Sequence, residues 1–455
     1  EESVRENTWG YHKLPRLGTK RKEEREKGRS RMKVFKDAEG KRTADVSVES
    51  PVKDILDAVR STGDEAVLDY AEKFDGCRPA SLRVERGTIE EAYSKVPPET
   101  VESLEFAAHR IRDFAKRQRE SLRDLRYEIS PGVVLGHRLI PVGSCGCYVP
   151  GGRYPLPSTA LMSIIPAKVA GVERIAAASP AGKGVNGPQT GGFHPDPTVL
   201  VAMDLAGADE IYCMGGAQAI GAFTYGTKSV APVDIVVGPG NRYVMEAKRQ
   251  VAGIVGIDLL AGPSEAAIIA DDSVNPRWVA VDALSCCEHD PHSWSVLILT
   301  SEKLAEDVAA EIDAELRTLE TAEIAGRTWK ENGKILVADS LDEAVSLSDS
   351  LAPEHLQVMT ENGPVLAARL RNFGSLFIGP YAPVPFGDYV SGPNHTLPTA
   401  GSARFSSGLN VNTFLKISAF QEISAAAGRY LAPHCSRLAE AEGLYGHKRS
   451  AELRK

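Results

Sequence analysis

The chain has 455 residues, 42% apolar and 25% charged, with a formal net charge of -8. That length exceeds a single core and implies two or three domains, while mild acidity favours neither nucleic acid nor an anionic membrane as partner. No apolar run reaches bilayer length and the first residues carry no apolar signal core. The seven scattered cysteines argue against a disulfide framework and for a reducing, cytoplasmic setting.

In chain order, residues 1–45 read as an N-terminal arm. Residues 1–42 hold 14 Lys and Arg against 8 Asp and Glu, the composition of a solvated segment or of one that docks on a partner subunit. From Val52 the pattern is helical, with Ile55, Val59, Ala66, Val67 and Tyr70 near three-to-four spacing, and Asp75-Gly76 marks a turn. Val101 to Leu122 is a second helical stretch, its apolar face carrying Leu104, Ala107, Ala108, Ile111, Phe114 and Ala115.

After residue 133 short β-rich runs alternate with helical ones. "VVLGHRLIPVG", "RIAAASP", "EIYCMGG" and "VDIVVGPG" read as strands; "ALMSIIPAKVAG", "TVLVAMDLAG" and "AQAIGAFTYG" read as helices. A second series follows: strands in "EAAIIAD", "SVLILTS", "GKILVAD" and "SLFIGP", with helices over 276–288, 302–316 and 341–350. The alternation predicts an α/β fold of two Rossmann-like units with parallel sheets. Residues 180–197, "PAGKGVNGPQTGGFHPDP", read as a Gly/Pro-rich surface loop.

Glycine-rich turns follow several strands: "YVPGG", "MGGAQ", "VGPGN" and "AGPSE". Ligands of open α/β sheets bind beyond the carboxyl ends of the strands, and glycine there admits close backbone approach to a phosphate. None matches G-x-G-x-x-G, so each alone is an ordinary βα turn, and only together do they suggest a ligand edge.

The stretch "ALSCCEHDPHS" sets Cys286 and His289 three apart, a spacing that suits two metal ligands on one helical turn. Asp388 and His395 lie in "FGDYVSGPNH", and His447 in "EGLYGHKR". Singly, each is an ordinary polar residue. In "LAPEHLQV", Glu354 and His355 form a pair suited to general base work, though Pro-Glu-His also reads as a helix start with favourable first-turn charge.

The motifs "YVPGG", "GGAQAIGAFTYGT", "VGPGNRYVMEAKRQV", "GIDLLAGPSE", "EHD", "APEHL" and "GDYVSGPNHTLPTAG", in this order, resemble histidinol dehydrogenases from about residue 50 to 450. The resemblance implies two incomplete Rossmann-like domains, small N- and C-terminal segments, and an intertwined homodimer. In that arrangement 46–147 with 263–408 forms the first domain, carrying metal and base residues. Residues 148–262 form the NAD-binding domain, and 409–455 a C-terminal dimerisation segment. It further implies zinc, NAD and oxidation of a small polar primary alcohol through the aldehyde to the carboxylate.

By resemblance, His289, Asp388 and His447 ligate zinc, the last across the dimer. Cys286 occupies the position of the family's glutamine ligand. Glu354 and His355 are the catalytic bases. Tyr148, Gln218 and Asn241 contact NAD; Ser264, His355, His395 and Glu442 contact substrate. Phrases such as "HRLIPVGSCGCYVPGGRYP" and "CSRLAEAEGLYGH" look closer to a branch acting on other alcohols, notably 2,3-dihydroxypropane-1-sulfonate. Two rival readings remain: a cysteine-based aldehyde oxidiser using Cys286 or Cys287, and a non-catalytic zinc- or dinucleotide-binding scaffold.

Overall fold

The computed structural model describes residues 33–40, 47–151, 154–182 and 193–455. Most of the arm 1–45 and the middle of the loop 180–197 lie outside them. An edge strand β1 (Lys33–Lys36) precedes helices α1 (Glu49–Thr62), α2 (Asp64–Asp75), α3 (Arg86–Lys95) and α4 (Pro98–Ser121). Strands β2 (Leu125–Ser130) and β3 (Val133–Pro141) follow.

The first alternating series is β4 (Ser144–Tyr148), α5 (Pro157–Ala170), β5 (Arg174–Ser179), α6 (Pro197–Ala206), β6 (Glu210–Cys213), α7 (Gly216–Tyr225), β7 (Ile235–Val237), α8 (Arg242–Val251) and β8 (Gly256–Ile257). The second begins with β9 (Glu265–Ala270), α9 (Pro276–Cys287), β10 (Trp294–Leu299), α10 (Glu302–Glu315) and α11 (Ala322–Asn332). It continues through β11 (Lys334–Val337), α12 (Leu341–Leu351), β12 (His355–Met359), α13 (Gly363–Ala367), β13 (Ser375–Ile378) and α14 (Val384–Tyr389). Strand β14 (Leu415–Ile423) and helices α15 (Ala425–Ala441) and α16 (Tyr445–Glu452) complete the described elements.

The five-stranded sheet runs β6-β5-β4-β7-β8 and the six-stranded one β1-β11-β10-β9-β12-β13. Apart from β1, which pairs antiparallel with β11, the strands of both are parallel. Each parallel set is wound 3-2-1-4-5, reversing between β4 and β7 in one sheet and between β9 and β12 in the other. Continuous apolar strands explain this placement: every residue of "EAAIIA" and "WSVLIL" is buried, as helices on both faces require.

Packing distributes the first four helices over two cores. Helices α1 and α2 bury Val52, Ile55, Leu56, Val59 and Val67 in a core shared with α7 and α8. Helices α3 and α4 bury Ile89, Leu104 and Ile111 against α5 and α6. Both cores belong to the five-stranded sheet, of which β4 is the middle strand. The six-stranded sheet has its own two cores, one on each face.

The arm departs from a wholly solvated segment. Lys33–Lys36 forms the edge strand, and Lys36 Nζ donates to the Gly333 carbonyl at 2.6 Å and to that of Trp329 at 3.0 Å. A third, antiparallel sheet runs β14-β3-β2, joining the chain's last strand to its second and third. Gly136 makes this possible, since a Cβ there would lie 2.1 Å from the Leu125 carbonyl oxygen. This sheet and the two final helices leave Tyr127, Ile129, Ile417, Tyr430, Leu438 and Tyr445 exposed.

Candidate active site

The site begins at the amino ends of β9 and β12, parallel neighbours with His355 opposite Ala266. Pro353 follows Ala352, the left-handed C-cap of α12, so Glu354 and His355 open a strand rather than the helix that Pro-Glu-His allows. Glu354 Oε2 accepts from the Glu265 N–H at 2.9 Å, and His355 Nδ1 lies 3.2 Å from the Glu265 carbonyl oxygen. A carbonyl only accepts, so Nδ1 carries a hydrogen, and the ring proton that can be exchanged is the one at Nε2. His355 Nε2 is buried with no hydrogen-bond partner; Asp388 Oδ1 stands 3.5 Å away, a charge contact.

Three acidic side chains surround this imidazole. Burial pushes Glu354 up to about 8 and Glu265 up to about 7. Burial alone would lower His355, but Glu354, with Oε2 at 3.5 Å from Nδ1, and Asp388 outweigh it and raise it to about 9. Burial likewise works against ionised Asp388, yet its contact with His355 holds the carboxyl below the usual range. The cluster therefore contains groups that exchange protons near neutrality.

His395 ties this cluster to the five-stranded unit. Its Nδ1 bonds the Asp388 carbonyl at 3.0 Å and its Nε2 the Thr159 hydroxyl at 3.2 Å, in the first turn of α5. Asn394 donates to the Met162 carbonyl at 2.6 Å, and the Gly262 N–H to Thr399 Oγ1 at 2.5 Å. Ser264 is half-buried beside Glu265, its carbonyl accepting from the Trp294 N–H at 3.1 Å.

The expected metal ligands are only partly gathered. Asp388 lies in the cluster, and His289, exposed just past the end of α9, contributes to its electrostatic surroundings. Cys286 is buried and donates its thiol to the Trp294 carbonyl at 3.4 Å, and burial holds it well above the usual thiol range. It is thus a neutral thiol engaged within its own chain. His447 and Glu442 are exposed, at α16 and the end of α15. Among the described residues no group of three or more His, Cys, Asp or Glu side chains is close enough to hold a metal. The expected four-ligand set is therefore not assembled within one chain, because His447 sits on a protruding helix and the Cys286 thiol faces a carbonyl.

Tyr148, Gln218 and Asn241 meet at the carboxyl end of the five-stranded sheet. Tyr148 ends β4 and its hydroxyl accepts from the Gly216 N–H at 3.2 Å. Gln218, in the first turn of α7, is buried with Oε1 unpartnered. Asn241 caps α8, accepting from the N–H groups of Tyr243 and Val244 at 2.9 and 3.2 Å. Tyr148 ends β4 and Asn241 follows β7, strands between which the order reverses and where doubly wound sheets bind their ligands, while Gln218 follows the edge strand β6.

Sequence reasoning missed Glu265 and Thr159. Glu265 is the hinge of the site: its N–H and C=O engage Glu354 and His355, and its Oε1 accepts from the Ala400 N–H at 2.8 Å. The available signal was a charged residue opening an otherwise apolar strand, which needs a buried partner. Thr159 carried no comparable signal.

A buried histidine flanked by carboxyls, and tied through Asp388 and His395 to the first turn of α5, is an arrangement suited to proton transfer. The histidinol dehydrogenase family model matches residues 38–455. A histidinol dehydrogenase homolog of Shouchella clausii is 45% identical over 420 residues, covering 92% of this chain and 96% of that protein. The histidinol dehydrogenase of Methanocaldococcus jannaschii is 45% identical over 403 residues, 89% of this chain and 91% of the relative. The crystal structure of the Elizabethkingia anophelis histidinol dehydrogenase superposes with a TM-score of 0.85 at 33% identity, over 91% of this chain and 94% of that one. The chain belongs to the histidinol dehydrogenase family, oxidoreductases acting on a CH–OH group.

Proposed function

We propose that the chain is a zinc- and NAD-dependent dehydrogenase that oxidises a small polar primary alcohol, L-histidinol or an analogue, through the aldehyde to the carboxylate. The observation that carries this reading is His355. Its Nδ1–H is held by the Glu265 carbonyl, so proton exchange falls to buried Nε2, which becomes a base as pH rises towards 9.

In the first oxidation His355 Nε2 removes the hydroxyl proton as the carbinol carbon gives up hydride. Glu354, buried next to it and held near neutral pH, then takes a proton from the water that hydrates the aldehyde. A second hydride loss gives the carboxylate. Asp388 stabilises the imidazolium formed in each proton transfer. Ser264, His395 and Glu442 are assigned to substrate, Glu442 from a second copy of the chain.

NAD supplies the hydride acceptor. Its fit rests on the unpartnered buried Gln218 Oε1 and on the glycine turns beside Tyr148 and Asn241, which both strand windings support as incomplete Rossmann-like units. Zinc, when bound, supplies Lewis-acid polarisation and orientation of the alcohol. The donors suit it in kind, with His289 and Asp388 from one chain and His447 from a second. Cys286 completes the set only by giving up its contact with Trp294. The exposed apolar residues of the three-stranded sheet and α15–α16 support a homodimer that shares its sites.

Metal-loaded protein given L-histidinol and NAD is expected to yield two NADH per alcohol; one NADH with accumulating aldehyde excludes the four-electron reaction. Mixing inactive His447→Asn with inactive His289→Asn should restore about a quarter of wild-type activity, through mixed dimers holding one intact site. No recovery on subunit exchange rules out sharing. A second reading keeps the chemistry and takes 2,3-dihydroxypropane-1-sulfonate as substrate. Cys286, shorter than the family's glutamine, favours it by reshaping the metal pocket, and comparative kcat/KM on the two alcohols decides.

A further inference from the structure

The side chains of Lys248 and Asp258 are buried, each 1% exposed, and form an ion pair. They close a ring on one residue. Lys248 Nζ donates to the Gly238 carbonyl at 3.0 Å, and Asp258 Oδ2 accepts from the Gly238 N–H at 2.8 Å. Strand β7 ends at Val237, so neither backbone group of Gly238 continues the sheet ladder. The ion pair takes the place of both neighbouring strands.

Gly238 requires this support. Its φ is +117°, and a Cβ there would lie 2.1 Å from the Tyr148 carbonyl oxygen. The turn it begins, Gly238–Asn241, leads into α8 at the switch point between β4 and β7. Gly240 packs so closely on Val244 that an added Cβ would lie 2.5 Å from a methyl carbon. Burying two charges costs several kcal/mol in desolvation, and an apolar pair of similar volume often stabilises a fold equally well. Core stability is therefore a poor reason for this pair; fixing the turn is a better one.

We infer that the Lys248–Asp258 pair is a positioning device for the dinucleotide. It clamps Gly238 through both backbone groups and so presents the Gly238–Asn241 backbone to the cofactor in a single conformation. Neither side chain touches the ligand. The inference rests on the NAD reading given above, and binding of NAD to the wild-type protein tests that reading separately.

The test is NAD affinity, by titration calorimetry, of wild type, Lys248→Met/Asp258→Leu and Asp258→Asn. Hydrogen exchange over 237–241 is followed in each. The apolar double variant is expected to fold, to bind NAD at least about tenfold more weakly, and to lose protection in that segment. During turnover its KM for NAD should rise far more than its kcat falls, with KM for the alcohol little changed. Asp258→Asn, which keeps an acceptor for the Gly238 N–H, should lie between, and it carries the same test if the double variant does not fold. A folded variant with wild-type NAD affinity and unchanged exchange overturns the positioning role. Wild-type protein that binds no NAD overturns the cofactor reading and this inference with it.

Discussion

Glu265 and Glu354 differ from ordinary carboxylates in the direction of their shifts. Burial raises Glu265 from 4.5 to about 7, so the folded chain binds an extra proton there between those values. Its contribution to stability is present below pH 4.5 and is lost as pH rises towards 7. Glu265→Gln keeps an acceptor for the Ala400 N–H and should flatten the fall in urea midpoint between pH 5 and 8. His355→Asn should lower kcat by about 10²- to 10⁴-fold with the melting temperature little changed, as NADH formation would show. The only non-glycine residues with positive φ among those described, Ala352 and Ala400, flank this same cluster. Ala352 precedes Pro353 and the base pair, and Ala400 supplies the N–H to Glu265, so local strain is concentrated where the geometry matters. The Glu-His pair was legible in "APEHL" as a chemical motif. Its third member was not, because Glu265 meets it only through the β9–β12 pairing, 90 residues apart.

At the scale of elements, most helices and strands of the two sheets were readable, because strands buried on both faces are short unbroken apolar runs. Strand β12 was not, since "HLQVM" mixes polar and apolar residues and follows Pro-Glu. Neither was β14, whose partner β3 lies far back in the chain and whose exposed apolar face breaks simple alternation. For α1–α4 the amphipathic face specifies burial but not which sheet receives it. Gly374 is where β13 meets the site. Its N–H donates to the Pro353 carbonyl at 2.9 Å, and an added Cβ would lie 2.6 Å from the Glu354 carbonyl oxygen. Gly374→Ala should therefore displace the base pair and reduce kcat by about tenfold or more, leaving NAD affinity unchanged. Steady-state kinetics with NAD titration checks both halves.

For the whole molecule, no described helix is long and apolar enough to cross a membrane. Six of the seven cysteines are buried and all are free. Burial pushes Tyr148 and Tyr212 from 10 up to about 12, and the thiols of Cys213 and Cys286 well above 9. These groups hold protons more tightly folded than unfolded, so the stability present below about pH 9 should be lost as pH rises towards 12. Urea midpoints at pH 8 and 10.5 should show a clear fall, and equal midpoints would contradict it.

The two sheets present opposite ends to the crevice, and their helices give that opposition an electrical meaning. Helices α7 and α8 begin just past the carboxyl ends of β6 and β7, so they turn their positive poles to that edge of the five-stranded sheet. Helices α9 and α12 end at Cys287 and Leu351, two and three residues before His289 and Glu354, and turn their negative poles towards the base cluster. One crevice thus carries a fixed field, favourable to an anion on one wall and to a proton or cation on the other. Opposite charges can face each other there without either side relying on solvent ions for compensation.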